Sequence, residues 1–281
     1  MTKIDRKPPW LKVKAFGGEQ FNEVNKLLKQ HELNTVCQEA NCPNRGECFS
    51  RGTATFLILG PTCTRSCTFC NIESGVLKKV DPDEPRRVAE LAKELKLKHV
   101  VITSVTRDDL VDGGANQFYS VTKQIREKLP KATIELLTPD FKDQEGAVDT
   151  VIRAKPDIFN HNLETVKRLY PQVRPQADYD YSMNLLGYVQ KNSNIITKSG
   201  IMVGVGESVD ELKELFNDLN NVNISILTIG QYLAPSLKHL KISKYYHPNE
   251  FEQLKELAQN TGIKKVVSAP LVRSSYKAEM L

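Results

Sequence analysis

The chain has 281 residues, 40% hydrophobic and 26% charged, with a formal net charge of +5. That length and apolar content fit one large α/β domain with a substantial core, and no stretch approaches the roughly 18 consecutive apolar residues of a membrane span. With no long basic run and no basic stripe interleaved with aromatics, the charge argues against nucleic acid and leaves a solvated lysine-rich surface or an acidic partner. Met1–Trp10 holds lysines and prolines but no apolar leader, so the expected location is cytoplasmic.

Taken in chain order, short apolar runs alternate with amphipathic stretches. The runs Ala54–Leu59, His99–Thr103, Thr133–Thr138, Asp157–Asn160, Ile195–Val203 and Ile224–Ile229 are mostly β-branched and bounded by Gly, Pro or Asp, which predicts buried strands. Between them, Val88, Leu91 and Leu95, and then Val209, Leu212, Leu215, Phe216 and Leu219, recur at helical spacing. Further helices are expected near 115–129, 143–154, 163–169, 178–191 and 249–260. Six strand–helix units in series predict an open, partial (β/α)6 TIM-type barrel; a doubly wound sheet is the alternative, and both place ligands at the carboxyl ends of strands. Residues 54–264 form the expected core, with 1–53 and 265–281 as extensions. His161, His239 and His247 lack ligand spacing, Trp10 reads as a lone aromatic near a flexible end, and Gly204-x-Gly206 reads as a tight strand-to-helix turn.

All six cysteines lie between positions 37 and 70. In a chain expected to be cytosolic, such clustering points to metal or redox chemistry rather than disulfides. Cys63, Cys67 and Cys70 form C-x3-C-x2-C directly after the first strand, where a barrel-type site would lie. Three thiolates can ligate three irons of a 4Fe–4S cluster and leave the fourth open to a substrate, whereas structural zinc prefers four ligands and paired C-x2-C knuckles. Cys37, Cys42 and Cys48 form a second triad, C-x4-C-x5-C, bent by Pro43 and Gly46. It too is one ligand short, and is either a second cluster site or a structural metal site.

The paired triads resemble those of lipoyl synthases, a family within the radical S-adenosylmethionine (SAM) enzymes. The likeness continues through Val101–Ala115, Phe159–Val166, Thr197–Glu207 and Thr228–Ser236 to Arg273-Ser-Ser-Tyr276 near the carboxyl end, although Thr106 stands where an acidic residue is expected. It implies two 4Fe–4S clusters, with SAM bound at the cluster on Cys63, Cys67 and Cys70. The auxiliary cluster is implied on Cys37, Cys42, Cys48 and a serine of the R-S-S-Y segment, assigned to Ser275 with Ser274 as the alternative. The implied reaction inserts sulfur from the auxiliary cluster at C6 and C8 of a protein-bound octanoyl-lysine; another sulfur-inserting radical SAM reaction is the alternative. The implied partners are octanoylated lipoyl carrier domains (2-oxoacid dehydrogenase E2 or glycine cleavage H protein), an electron donor such as ferredoxin or flavodoxin, and an iron–sulfur carrier that rebuilds the consumed cluster. Candidate SAM contacts at the barrel mouth are Thr103, Ser104, Asn162, Glu164, Arg174 and Lys198, with Arg174 suited to a carboxylate and Glu164 to an amine or ribose hydroxyls.

Overall fold

The computed structural model describes residues 7–13 and 16–280, so part of the Met1–Trp10 segment lies outside the described residues. After a 3-10 turn at Pro9–Leu11 come α1 (Glu19–Gln30), β1 (Asn34–Thr35), α2 (Val36–Glu39) and α3 (Arg45–Ser50). The core begins with β2 (Thr55–Ile58), a small parallel pair of β3 (Thr62–Cys63) and β4 (Glu73–Ser74), and α4 (Glu84–Glu94). It continues through β5 (His99–Ser104), α5 (Ala115–Lys128), β6 (Thr133–Leu137), α6 (Ala147–Arg153) and β7 (Ile158–Asn160). A 3-10 turn at Lys167–Leu169, α7 (Tyr170–Val173), α8 (Tyr179–Asn192), β8 (Ile196–Val203), α9 (Val209–Asn221), β9 (Ile226–Gln231), α10 (Pro248–Asn260) and β10 (Lys265–Ser268) complete it.

The main sheet runs β1-β2-β5-β6-β7-β8-β9-β10, with β2 through β10 parallel and β1 antiparallel to β2. Its edges are β1 and β10, so the barrel stays open. The helices start where local chemistry dictates. Ser208 and Glu211 form a capping box on α9, the Asp178 side chain accepts from Tyr181 N at the start of α8, and Pro85 and Pro248 sit in the first turns of α4 and α10. The apolar stripes then bury against the strands: Val88 and Leu91 of α4, and Leu212, Leu215, Phe216 and Leu219 of α9.

Three expectations are corrected. Lys265-Val-Val-Ser268, placed in the carboxyl-terminal extension, is a seventh parallel strand paired to β9. Four residues behind two lysines are too short a run to read as a strand until a neighbour supplies the ladder. The helix expected over 163–169 is absent; Glu164 instead bridges to Ile201 of β8 with φ 67°, and only Lys167–Val173 turns helically. Trp10 is not a loose aromatic, because its indole N–H donates to Tyr246 O at 3.1 Å and its ring packs edge-on against His247.

The two extensions meet each other. Asn44 Nδ2 donates to Leu271 O at 2.7 Å, Tyr276 OH to Glu47 Oε2 at 2.9 Å, and Lys277 Nζ lies 3.4 Å from Glu47 Oε1. The carboxyl-terminal segment runs against β9, where Gly230 leaves the space: a Cβ there would run into Val272 O and approach Arg273 Nη1 to 3.1 Å. Gly230→Ala is therefore expected to displace residues 271–276 while leaving the β2–β8 core folded. Limited proteolysis should then cut near the carboxyl end many times faster than in the parent, with little change in the far-ultraviolet circular dichroism.

Candidate active site

The Cys63–Cys70 loop leaves β3 at the carboxyl ends of the parallel strands and is bonded on several sides. Thr64 N and Oγ1 both donate to Thr106 O at 3.0 Å, Thr68 N donates to Val173 O, and Ser74 Oγ donates to Arg65 O. Thr106, the departure from the expected acidic residue, works through its backbone: its N–H points at Cys63 Sγ at 3.3 Å, as does Arg65 N at 3.4 Å. Within the loop, Arg65 forms a fork on Asp108 (2.8 Å twice) and a 2.6 Å bond to the fully buried Asp140. Burial raises the cost of the Asp140 charge, yet Arg65 holds its pKa below the usual carboxylate range.

The second triad lies beside the first. Cys37 is buried next to Thr55 of β2, and Asn71, the residue after Cys70, donates through Nδ2 to Glu39 O at 2.9 Å. Burial pushes the Cys37 thiol up to about 11 and the Cys48 thiol up to about 12, with the other cysteines of the triad pushing the same way. In the first triad burial takes Cys70 to about 12 and raises Cys67, and Cys63 adds to both. Ligand-free, Cys37, Cys48, Cys67 and Cys70 hold their protons; a bound iron cluster would supply the positive charge that displaces them. Among the described residues no three His, Cys, Asp or Glu side chains are drawn together tightly enough to hold one metal ion. The thiols are nonetheless grouped three and three in two adjoining loops, a soft donor set suited to clusters rather than to hard cations.

Polar groups without partners mark the mouth between the triads. Ser104 Oγ at the end of β5, Thr138 Oγ1 after β6 and His161 Nε2 after β7 are buried and unbonded. His161 Nδ1–H donates to Thr138 O at 3.0 Å, and burial, helped by Arg174, takes its pKa down to about 4, so the imidazole is neutral and Nε2 is an acceptor. Orphaned buried atoms of this kind are costly unless a ligand satisfies them. Asn162 joins this set, donating through Nδ2 to Glu164 Oε1 at 3.0 Å and accepting from Ser274 Oγ at 2.8 Å. Gly200 permits the gathering, because a Cβ there would lie within 2.7–2.9 Å of Thr228 Oγ1, Asn162 Oδ1 and Ser274 Oγ. Burial raises the Glu164 carboxyl above its usual range against the pull of Arg174 and Asn162. The hydrogen bonds of Arg174, to Asn162 O (2.9 Å) and Tyr170 OH (3.1 Å), run through Nη1, and its charged neighbours include Glu164 and Cys67. Arg273 in turn feels Cys42 and Glu164, so charge contacts run from one triad to the other.

Of the SAM candidates, Ser104, Asn162, Glu164 and Arg174 thus stand at this mouth. Thr103 Oγ1 is spent on Leu137 O at 2.9 Å, tying β5 to β6. Lys198 does not belong with them: it is fully buried, with Nζ 2.8 Å from Glu135 Oε1, and Glu135 also binds His99 and Asn160. The Lys198 ammonium is committed to the buried Glu135 carboxylate, while its backbone pairs with Asn160 and Ile226 and its carbonyl accepts from His161 N. Of the two serines, Ser274 is engaged by Asn162, whereas Ser275 forms no hydrogen bond among the described residues. The Gly204–Gly206 turn needs no phosphate, since Glu207 accepts from Gly204 N and Val205 N. Sequence reasoning passed over Arg65, Asp140, Thr138, His161 and Arg273; the signal for Arg65 was a cation between two cluster cysteines.

Residues 57–219 match the model of the Radical SAM superfamily, which defines the class to which this barrel and cysteine loop conform. Solved structures with the same fold include SuiB of Streptococcus suis bound to S-adenosylmethionine (TM-score 0.59, 14% identity). The match covers 80% of this chain and 54% of that one, so the chain spans about half the length of SuiB. Methylornithine synthase is similar at TM-score 0.56 and 15% identity, over 92% of this chain and 85% of that one. The lipoyl synthase of Alkaliphilus metalliredigens is 54% identical over 98% of this chain and 95% of its own, and that of Caldanaerobacter subterraneus subsp. tengcongensis 53% identical over 98% and 96%. The chain belongs to the lipoyl synthase family of radical SAM enzymes.

Arg65→Met would strand the buried Asp140 charge and release the cysteine loop. It is expected to cost about 3–5 kcal/mol, the usual penalty for breaking a buried pair, and to lower iron bound at the first triad while sparing the second. Anaerobic urea unfolding and Mössbauer spectra of the reconstituted protein check both effects.

Proposed function

We propose that this chain inserts two sulfur atoms, at C6 and C8, into an octanoyl chain carried on a lysine of a lipoyl carrier domain. The observation that supports the reading is a link between the two cysteine segments: Asn71, next to Cys70, donates to Glu39 O, between Cys37 and Cys42, and Arg273 has Cys42 and Glu164 among its charged neighbours. Membership of the lipoyl synthase family supplies the cofactors, SAM and 4Fe–4S clusters. When bound, SAM and its cluster supply an oxidant strong enough to take hydrogen from an unactivated carbon, and the auxiliary cluster supplies the sulfur.

The chain's own residues do the holding and positioning. Cys63, Cys67 and Cys70 would hold the SAM-binding cluster, and two backbone N–H groups point at Cys63 Sγ. Arg174 would suit the SAM carboxylate, and Glu164 and Asn162 its amine or ribose hydroxyls. Ser104 Oγ, Thr138 Oγ1 and His161 Nε2 complete a polar lining that a nucleoside can satisfy. Cys37, Cys42, Cys48 and Ser275 hold the auxiliary cluster. Serine oxygen is a harder, weaker iron ligand than thiolate, so Ser275 would hold its iron less firmly than the three cysteines would hold theirs. An electron donor of the ferredoxin or flavodoxin kind and an iron–sulfur carrier that restores the auxiliary cluster complete the reading.

Anaerobic turnover of reconstituted protein with SAM, a reductant and an octanoyl-lysine peptide, followed by mass spectrometry, tests this. The expected products are a peptide carrying two added sulfurs and two equivalents of 5′-deoxyadenosine. Ser275→Ala should keep SAM cleavage and lose most sulfur insertion, while Ser274→Ala should retain insertion. An unchanged peptide alongside 5′-deoxyadenosine would contradict the substrate assignment.

A further inference from the structure

The octanoyl-lysine belongs to a folded domain, so some surface of that domain must press against the mouth whenever the chain reaches the clusters. The rim there is built from three loops at the carboxyl ends of strands: 59–83 between β2 and α4, 105–114 between β5 and α5, and 232–247 between β9 and α10. The third is fastened to the cysteine loop itself. Leu240 N donates to Thr68 O at 2.9 Å, and His239 accepts from Ser236 Oγ through Nδ1 and donates through Nε2 to Cys70 O at 3.2 Å. The first loop is fastened to the same place through Ser74 Oγ and Arg65 O.

These loops expose aliphatic side chains that the fold does not need. Val76 is 92% exposed, Val111 97% and Leu237 86%. Between the first two loops lies a cavity of about 300 Å³ lined in part by Leu59, Val80, Pro82, Pro85 and Leu110. The charges divide unevenly. Asp81, Asp83, Asp108 and Asp109 are bound to arginines, and Asp112 accepts from Gly114 N and Asn116 N at the start of α5. Lys244 is paired with Glu250. Lys78, Lys79, Lys238 and Lys241 are exposed and form no ion pair among the described residues, against one such carboxylate, Glu73.

We propose that this rim is the docking surface for the carrier domain. It selects a domain with an acidic face beside the octanoyl-lysine and an apolar side chain that enters the cavity lined by Val80 and Leu110. The inference rests on the proposed function for the identity of its occupant. Exposed aliphatics among unpaired lysines form an adhesive patch with a steering field; Asp81, Asp83, Asp108 and Asp109 each lie against an arginine, so the four lysines outnumber the two rim carboxylates without one, Glu73 and Asp112.

The test compares two substrates on the cluster-loaded protein: an octanoylated lipoyl carrier domain and a short neutral octanoyl-lysine peptide. Lys78→Glu/Lys79→Glu and Lys238→Glu/Lys241→Glu should each raise KM for the domain about tenfold or more, as charge reversal at a steering surface does. kcat at saturating domain and both constants for the peptide should stay within about twofold. Val111→Asp should act in the same direction, and KM for the domain should climb with salt in the parent but not in the quadruple variant. Equal effects on peptide and domain, or a domain KM indifferent to both charge reversals and to salt, would overturn the assignment. Calorimetric binding of the octanoylated domain, read without turnover, separates this inference from the reaction. If the parent binds the domain and the reversals abolish binding, the rim is the docking surface even where no sulfur is inserted; if reversals leave binding unchanged, it is not.

Discussion

The Arg65 guanidinium is 7% exposed, grips Asp108 with two nitrogens and Asp140 with the third, and sits between two of the thiols that face the mouth. Asp140, after β6, has no exposure at all, so neither charge is tolerable without the other. This pairing ties the cysteine loop, which has little regular structure of its own, to the ends of β5 and β6. Around it the loop's backbone groups find partners in Thr106, Val173 and Leu240, and the positions of Cys63, Cys67 and Cys70 follow.

The rest of the site depends on an opening left by the same sheet. Because the strands stop at β1 and β10 without closing, the amino- and carboxyl-terminal segments can lie across the gap. They are stitched there by Asn44, Glu47 and Tyr276, which brings R-S-S-Y beside the C-x4-C-x5-C segment although 225 or more residues separate them in sequence. Glycines at 200 and 230 provide the clearance. The antiparallel β1 leaves the chain level with Thr55, the first residue of β2, where Cys37 is buried, so the link to the Cys63 loop is made further along the segment. There Asn71 spans from one triad's segment to the other's.

Much of this was legible in the residues. The six apolar runs are strands, because β-branched runs bounded by turn residues have few other uses, and the two triads declare their chemistry by spacing and by the absence of any other cysteine. What was hidden is depth. Lys198 lies on a correctly read strand beside the mouth's residues, but its ammonium is spent on the buried Glu135, and no periodicity reports which partner a buried side chain finds across a barrel. The distinction between Ser274 and Ser275 likewise needs the neighbour: Asn162, 112 residues earlier, engages one hydroxyl and leaves the other. β10 needed β9 to become a strand. The orphaned Ser104, Thr138 and His161 atoms could be recognised as lining only once the mouth that strands them was formed.

The central claim is that two clusters occupy one mouth, one on Cys63, Cys67 and Cys70 and the other on Cys37, Cys42, Cys48 and Ser275. Anomalous scattering at the iron edge from anaerobically grown crystals of the reconstituted protein measures this directly. The account predicts two four-iron centres within the same cavity, the auxiliary one with a serine oxygen from Ser275 on its fourth iron. A single centre, a zinc signal at the Cys37 triad, or a second cluster facing away from the mouth would contradict it.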